Sequence, residues 1–114
     1  MTPLPPELKS AIVDLVSDIV AGRYAEIASG GRIGRLTADE LAEAVRLYGR
    51  TLIPLPDDAW SFVHVYPING DARALSLDVE MFTIEEGRSD LTLSLSARRD
   101  GDRWTIGIDD LHVL

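Results

Sequence analysis

Four side chains with acid–base chemistry lie towards the end of this sequence: Asp90, Asp109, Asp110 and His112. A carboxylate beside an imidazole raises the pKa of the imidazole, and the two groups can act as a general base and its orienting acid. The alternative is a polar cross-strand pair that contributes at most ~1 kcal/mol to stability. Because no nucleophile with a recognisable setting accompanies them, catalysis by Asp90 and His112 is the less favoured interpretation.

A β-hairpin would bring these four side chains together. The segments on either side of Asp100-Gly101 alternate apolar and polar residues, and Asp-Gly is typical of a two-residue turn. With this turn at the tip, strict alternation would put a carboxylate on the apolar face of the sheet. A one-residue bulge at Asp109-Asp110 restores the apolar face and places His112 opposite Asp90.

The second histidine, His64, lies in an alternating segment, 60–66, that is predicted to be a strand. A turn at Asn69-Gly70 would pair this strand with a second one over 73–84. In that register His64 faces Leu75 on the apolar face, and an imidazole is a side chain that can act as a general acid or base near neutral pH. The alternative is a core histidine that is hydrogen-bonded to a backbone carbonyl or a tyrosine.

The charged segment 85–90 is predicted to be the loop between the two long strands. Because loops on a rigid scaffold often carry function, it is also the best position for a partner contact. The alternative is a solvated turn with local ion pairs. The predicted partner-binding residues are Glu85, Glu86, Arg88, Asp90, Asp109, Asp110 and His112.

The negative charge is concentrated in the second half of the chain. Of the formal net charge of −8, residues 1–56 carry −1 and residues 57–114 carry −7. This balance argues against nucleic acid and anionic membranes as partners, because phosphate contacts require clustered basic residues. It is compatible with a basic protein partner, although acidity can also simply keep a protein soluble.

Composition limits the remaining chemistry. The chain contains no cysteine and only two histidines, which excludes disulfides, thiolate chemistry and a multi-histidine metal site. We therefore expect no metal and no cofactor. No apolar run approaches the ~20 residues of a membrane span. The first residues also lack the features of a secretory signal, so we expect a cytoplasmic location.

The order of elements predicts an α+β domain that occupies residues 1–114. A first helix opens at Pro5-Pro6, breaks near Gly22 and ends at Gly30-Gly31. A second helix, from residue 38 to about residue 48, starts with a Thr37 capping box. Four antiparallel strands then form a meander, and the two helices cover its apolar face.

The other face of the predicted sheet is polar, and along the central hairpin it is nearly uncharged. This composition suits a homodimer through the sheet face or contact with a protein partner, and a solvated face is the alternative. The residues of this polar face are Ser76, Thr92, Ser94, Ser96, Thr105 and Gly107.

Two resemblances extend this interpretation. The element order resembles the nuclear-transport-factor-2-like (cystatin-like) cone fold, which implies helices in the concavity of a curved sheet and, in its enzymes, a cavity histidine in acid–base work. Residues 32–37, 85–93 (with the run EEGRSDL) and 108–114 (IDDLHVL) resemble a family of uncharacterised bacterial domains. That family implies a bacterial protein and transfers no site.

The sequence thus favours a non-catalytic bacterial binding module. Its specific form would be an immunity-type protein whose acidic half caps a basic partner such as a toxin. The alternative is a ligand binder or enzyme with a cavity between helices and sheet, lined by His64 and by Tyr24 or Tyr48. The weak catalytic candidates for that alternative are His64, Asp90 and His112.

Overall fold

Three α-helices, a 3₁₀ helix and a five-stranded antiparallel sheet make up the computed structural model, which describes residues 4–113. The helices are α1 (Pro6–Val20), α2 (Tyr24–Ser29), α3 (Ala38–Tyr48) and the 3₁₀ helix Asp57–Phe62. The strands are β1 (Leu52–Ile53), β2 (His64–Ile68), β3 (Asp71–Thr83), β4 (Gly87–Asp100) and β5 (Arg103–Val113). The predicted α+β class is confirmed, and predictions for residues 1–3 and 114 lie outside the described residues.

The ends of the helices follow from local sequence. Gly22, with a φ of 74°, separates α1 from α2 as predicted. At the start of α3, the Glu40 N–H donates to Thr37 Oγ1 and the Thr37 N–H donates to Glu40 Oε1, both at 3.1 Å. Gly49 ends α3 in the left-handed conformation. These limits place Tyr48 in the last turn of α3.

The sheet is organised around β3 and β4, which are its longest strands. Strands β1 and β2 both pair with β3 along one edge, and β5 pairs with β4 along the other. The turn between β4 and β5 is Gly101-Asp102, not Asp100-Gly101, because Asp100 pairs with Arg103. This shifts the predicted register by two positions, so each residue keeps its predicted face.

The strand predicted over 60–66 is wrong in extent and in register. Its first part is the 3₁₀ helix, and β2 begins only at His64. The Asn69-Gly70 turn is confirmed, because Ile68 pairs with Asp71, but the next pair is Pro67 with Leu75. Three extra residues in β3 therefore separate these pairs, and an odd number of insertions moves every β2 side chain to the opposite face.

The sheet curls around a core that it shares with the helices. Each of the strand pairs β2–β3, β3–β4 and β4–β5 contains a register shift, and such bulges bend strands and increase their twist. The largest fully buried side chains come from both layers: Leu8, Ile12, Leu15, Ile19, Ile27, Leu41, Leu77, Met81, Leu91, Leu93, Leu95 and Ile108. Burial of each of these side chains contributes ~1.5–3 kcal/mol, so together they make the largest contribution to the stability of the fold.

The connector before α3 is attached to the sheet. Ile33 forms a parallel bridge with Ile108 in β5, where the Ile108 carbonyl accepts hydrogen bonds from the N–H groups of Gly34 (2.9 Å) and Leu36 (3.3 Å). The Ile108 N–H donates to the Arg32 carbonyl at 2.8 Å. These bonds hold the start of α3 beside β5. Among residues 4–113, no helix is long and apolar enough to cross a membrane.

Candidate functional site

The structure does not place His64 on the apolar face. His64 is exposed on the edge strand β2, opposite Asp78, and its ring stacks on Tyr66 with centroids 6.4 Å apart. The predicted position in a helix–sheet cavity is wrong, because the insertion in β3 reverses the faces of β2. The core between the helices and the sheet is formed by apolar side chains, and His64 is not among them.

The predicted bulge in β5 is confirmed, but it does not bring His112 to Asp90. Ser94 pairs with Asp110 and Leu95 with Ile108, which leaves Asp109 as the extra residue. The hairpin register places His112 opposite Thr92 instead of Asp90. His112 Nδ1 lies 3.1 Å from Asp110 Oδ2, without the alignment of a hydrogen bond. The Asp90–His112 pair is therefore wrong.

Asp90 instead meets Glu86 at the end of α3. The Tyr48 hydroxyl lies 2.8 Å from Glu86 Oε1 and 3.0 Å from Asp90 Oδ1. Glu86 is oriented by Thr83, whose hydroxyl lies 3.2 Å from Glu86 Oε1 and accepts from the Glu86 N–H at 3.0 Å. Two carboxylates thus converge on one phenol that is fixed by the end of a helix.

The neighbouring Glu85 has a structural role. Its carboxylate accepts hydrogen bonds from the Thr51 N–H and from the Thr51 hydroxyl, both at 2.9 Å. The backbone hydrogen bond with Thr51 is the largest cause that lowers the pKa of Glu85. The loop predicted over 85–90 is too long, because β4 begins at Gly87. Glu85 ties the turn between β3 and β4 to the segment after α3, whereas Glu86 and Asp90 contact Tyr48.

The electrostatics of Tyr48 reflect its surroundings. Burial first, and then the hydrogen bond with Glu86, raises the pKa of Tyr48 to about 12. Among residues 4–113, neither Glu86 nor Asp90 forms a salt bridge with a lysine or arginine. We name Tyr48, Glu86 and Asp90 the acidic triad.

A shallow apolar groove adjoins the acidic triad. It lies between α3 and β5 and has a volume of about 330 Å³. We name it the α3–β5 groove, and its lining residues are Ala44, Leu47, Tyr48, Leu91, Leu111, His112 and Val113. Leu47 is 68 % exposed and Val113 is 53 % exposed, so the groove presents large apolar side chains to solvent. Tyr48 belongs to both features: it lines the groove, and its hydroxyl contacts the two carboxylates.

The remaining predicted site residues lie on the polar face. Asp109 accepts a hydrogen bond from the Ser96 hydroxyl, next to the row in which Ser94 donates to Asp78 at 2.8 Å. Arg88 contributes to the same face, where it pairs with Glu80 at 3.3 Å and covers the Phe62 ring at 4.1 Å.

The predicted partner-binding set thus divides into separate groups. Glu86 and Asp90 belong to the acidic triad, and Glu85 anchors the turn between β3 and β4. His112 lines the α3–β5 groove, and Arg88, Asp109 and Asp110 lie on the polar face. The register confirms that the polar residues share this face, with Ser76 opposite Ser96 and Ser96 opposite Gly107. Within residues 4–113, no group of three or more His, Asp and Glu side chains could hold a metal ion.

Sequence reasoning missed Tyr48 as a partner of the loop. Tyr48 was a candidate only for a cavity lining, because its position one turn after Ala44 fits the apolar stripe of α3. Its hydroxyl contacts are 38 and 42 residues away in sequence. One feature of the sequence indicated this contact: Tyr48 directly precedes Gly49, which ends the helix. A long side chain at the end of a helix can contact a neighbouring turn.

No curated protein and no solved structure matches the chain. A family model described as "Domain of unknown function (DUF7668)" matches residues 16–114. The match includes the three segments that carried the family resemblance, whereas the bacterial origin and the cone-like fold stay predictions. Because the match spans most of the sequence, the chain belongs to this family of domains of unknown function.

Proposed function

We propose that this chain is a non-catalytic protein-binding module that contacts a basic protein through Glu86 and Asp90, two carboxylates of its acidic C-terminal half. The observation that carries the proposal is the acidic triad, in which two carboxylates share one hydroxyl and lack a basic partner among the described residues. Charges of one sign that are not neutralised internally favour and steer a partner of opposite charge.

The positions of the two histidines support binding rather than catalysis. His64 lies on β2 and His112 on β5, at opposite edges of the sheet. Three strand spacings separate these edges, which corresponds to about 14 Å. Two groups so far apart cannot serve as the acid and the base of one small reaction centre, which requires contacts of about 3 Å.

The specific form of the proposal is an immunity-type protein of bacterial origin. In this form, the acidic half caps a basic toxin and blocks it by occupying its surface. A homodimer through the polar face is a separate proposal, which light scattering at micromolar concentration tests. A likeness to the cone fold would suit either proposal, and neither depends on it.

Salt-dependent capture tests the proposed function. We expect the immobilised chain to retain a basic protein at about 0.1 M salt and to release it at about 1 M, because the Debye length falls from about 10 Å to about 3 Å. The variant E86Q/D90N should retain less of this protein. The control D57N/D58N changes charge equally at two exposed acids of the 3₁₀ helix, and it should behave like the unmodified chain.

Two results would contradict the proposal. One is that no basic protein is retained at low salt. The other is that D57N/D58N weakens capture as much as E86Q/D90N, since overall charge and not the acidic triad would then explain binding.

A further inference from the structure

We propose that the α3–β5 groove holds an apolar segment of the partner and that a lysine or arginine of this segment binds between Glu86 and Asp90. This inference rests on the proposed function and adds the recognised chemistry. The groove alone would accept any apolar segment. The two carboxylates that contact Tyr48, a residue of the groove, restrict the occupant to one that pairs an apolar side chain with a nearby cation.

The two carboxylates of the acidic triad can accept further hydrogen bonds from a cation. A phenol carries one hydrogen, so Tyr48 can donate fully to only one of the two carboxylates at a time. Within residues 4–113, Asp90 Oδ1 has Tyr48 as its only side-chain donor. An ammonium or a guanidinium presents several N–H groups and can donate to both carboxylates while Tyr48 keeps its bond.

The apolar side of the groove exposes two large side chains to solvent. Leu47, at 68 % exposure, lies one position before Tyr48 in a helix whose other face is buried in the core. Val113, at 53 % exposure, lies across the groove on the edge strand β5. Exposed apolar side chains that line a groove beside polar groups are typical of docking surfaces.

The neighbouring positive charge of α3 does not neutralise this site. Arg46 forms a bidentate pair with Glu43 on the exposed side of the helix, with one contact at 3.1 Å. His112, which lines the groove, lies beside Asp110. The charge complementarity of the groove therefore favours a basic occupant over a neutral or an acidic one.

Chemical-shift titration of the ¹⁵N-labelled chain with defined tripeptides tests this inference. The probe is acetylated and amidated leucyl-arginyl-leucine. One control peptide replaces arginine with glutamine, and the other replaces both leucines with serine. We expect the probe to shift amides in the last turn of α3, in residues 86–91 and in residues 111–113. Each control peptide should bind at least about fourfold more weakly.

Two variants separate the parts of the site. L47Q should weaken binding of the probe while preserving the helix, because Leu47 makes few contacts and glutamine is a good helix former. E86Q/D90N should remove the difference between the arginine and glutamine peptides. D57N/D58N should leave the affinity for the probe unchanged.

Several outcomes would overturn the inference: shifts confined to the polar face, equal binding of all three peptides, or no effect of L47Q and E86Q/D90N. Shifts of groove amides on concentrating the chain without peptide would also overturn it, because a second copy would then be the occupant. If the tripeptides fail but salt-dependent capture succeeds, the binding function stands and this groove is excluded. If the tripeptides bind and no basic protein is captured, the groove chemistry stands and the proposed function fails.

Discussion

The junction between the 32–36 connector and β5 gives the sharpest structural prediction. A Cβ atom added at Gly34 would lie 2.8 Å from the Ile108 carbonyl oxygen and 2.9 Å from Asp109 Oδ1. Both distances are too short for a carbon, and the carbonyl belongs to a paired strand that cannot easily move. Gly34→Ala must therefore push the connector away from β5.

The magnitude follows from the bonds that the displacement breaks. The connector is held by the two N–H groups that donate to the Ile108 carbonyl and by the Ile108 N–H that donates to Arg32. Three bonds at ~0.5–1.5 kcal/mol each contribute about 1.5–4.5 kcal/mol. Alanine regains ~0.4–1 kcal/mol through the unfolded state, so Gly34→Ala should lower the free energy of unfolding by about 0.5–4 kcal/mol.

Gly107 provides a matched control across the same junction. A Cβ atom there would lie 3.4 Å from the Gly34 Cα, which is ordinary van der Waals contact, and its backbone is not left-handed. Gly107→Ala should leave stability unchanged or raise it by up to about 1 kcal/mol. Urea unfolding followed by the fluorescence of Trp60 and Trp104 measures both variants. A loss below ~0.5 kcal/mol for Gly34→Ala, or equal losses for both, would refute this description of the junction.

Three further predictions concern the helices and the core. Thr37→Ala removes the capping box of α3 and should cost ~0.5–2 kcal/mol in urea unfolding, whereas Thr37→Ser should cost less. Leu93→Ala opens a cavity at a fully buried position and should cost ~2–5 kcal/mol in the same assay, compared with less than about 1.5 kcal/mol for Leu93→Met. In an absorbance titration of tyrosinate, Tyr48→Phe should remove the group that titrates at about pH 12. Because this pKa lies above the ordinary value of 10, stabilisation by the Tyr48 phenol is complete below pH 10 and is lost as the pH rises through about 12. Retention of that titration by Tyr48→Phe would contradict the assignment.

Local sequence was sufficient where the physical cause is local. Gly22, Thr37 and Gly49 mark helix limits because their backbone or side chain satisfies groups within four residues. The alternation of β4 likewise predicts its two faces, whatever its partner. These features needed no knowledge of the tertiary structure.

The register of the strands, in contrast, depends on residues that are distant in the sequence. The insertion that reverses β2 lies after Asp71, among residues such as Ala72 and Arg73 that carry no mark of a bulge. An insertion with an odd number of residues moves His64 to the opposite face of the sheet, whereas an even number would not. Alternation alone does not reveal this number, so it predicted the wrong face for His64. The bulge at Asp109 could be predicted because an acid interrupts an otherwise apolar alternation.

The acidic triad required distances that the sequence does not contain. The charge of residues 85–90 indicated a contact surface, but the convergence of Glu86 and Asp90 on Tyr48 depends on how α3 docks against the sheet. That docking is set by the connector bonds to Ile108 and by the buried face of α3.

The salt dependence of affinity, measured with the captured basic protein, tests the central claim most directly. The unmodified chain should lose affinity at least tenfold between about 0.1 M and about 1 M salt, because its carboxylates attract the partner through a screened field. E86Q/D90N should bind more weakly at low salt and depend less on salt than the D57N/D58N control. An E86Q/D90N variant with the affinity and the salt dependence of the unmodified chain would contradict the claim that the acidic triad binds the partner.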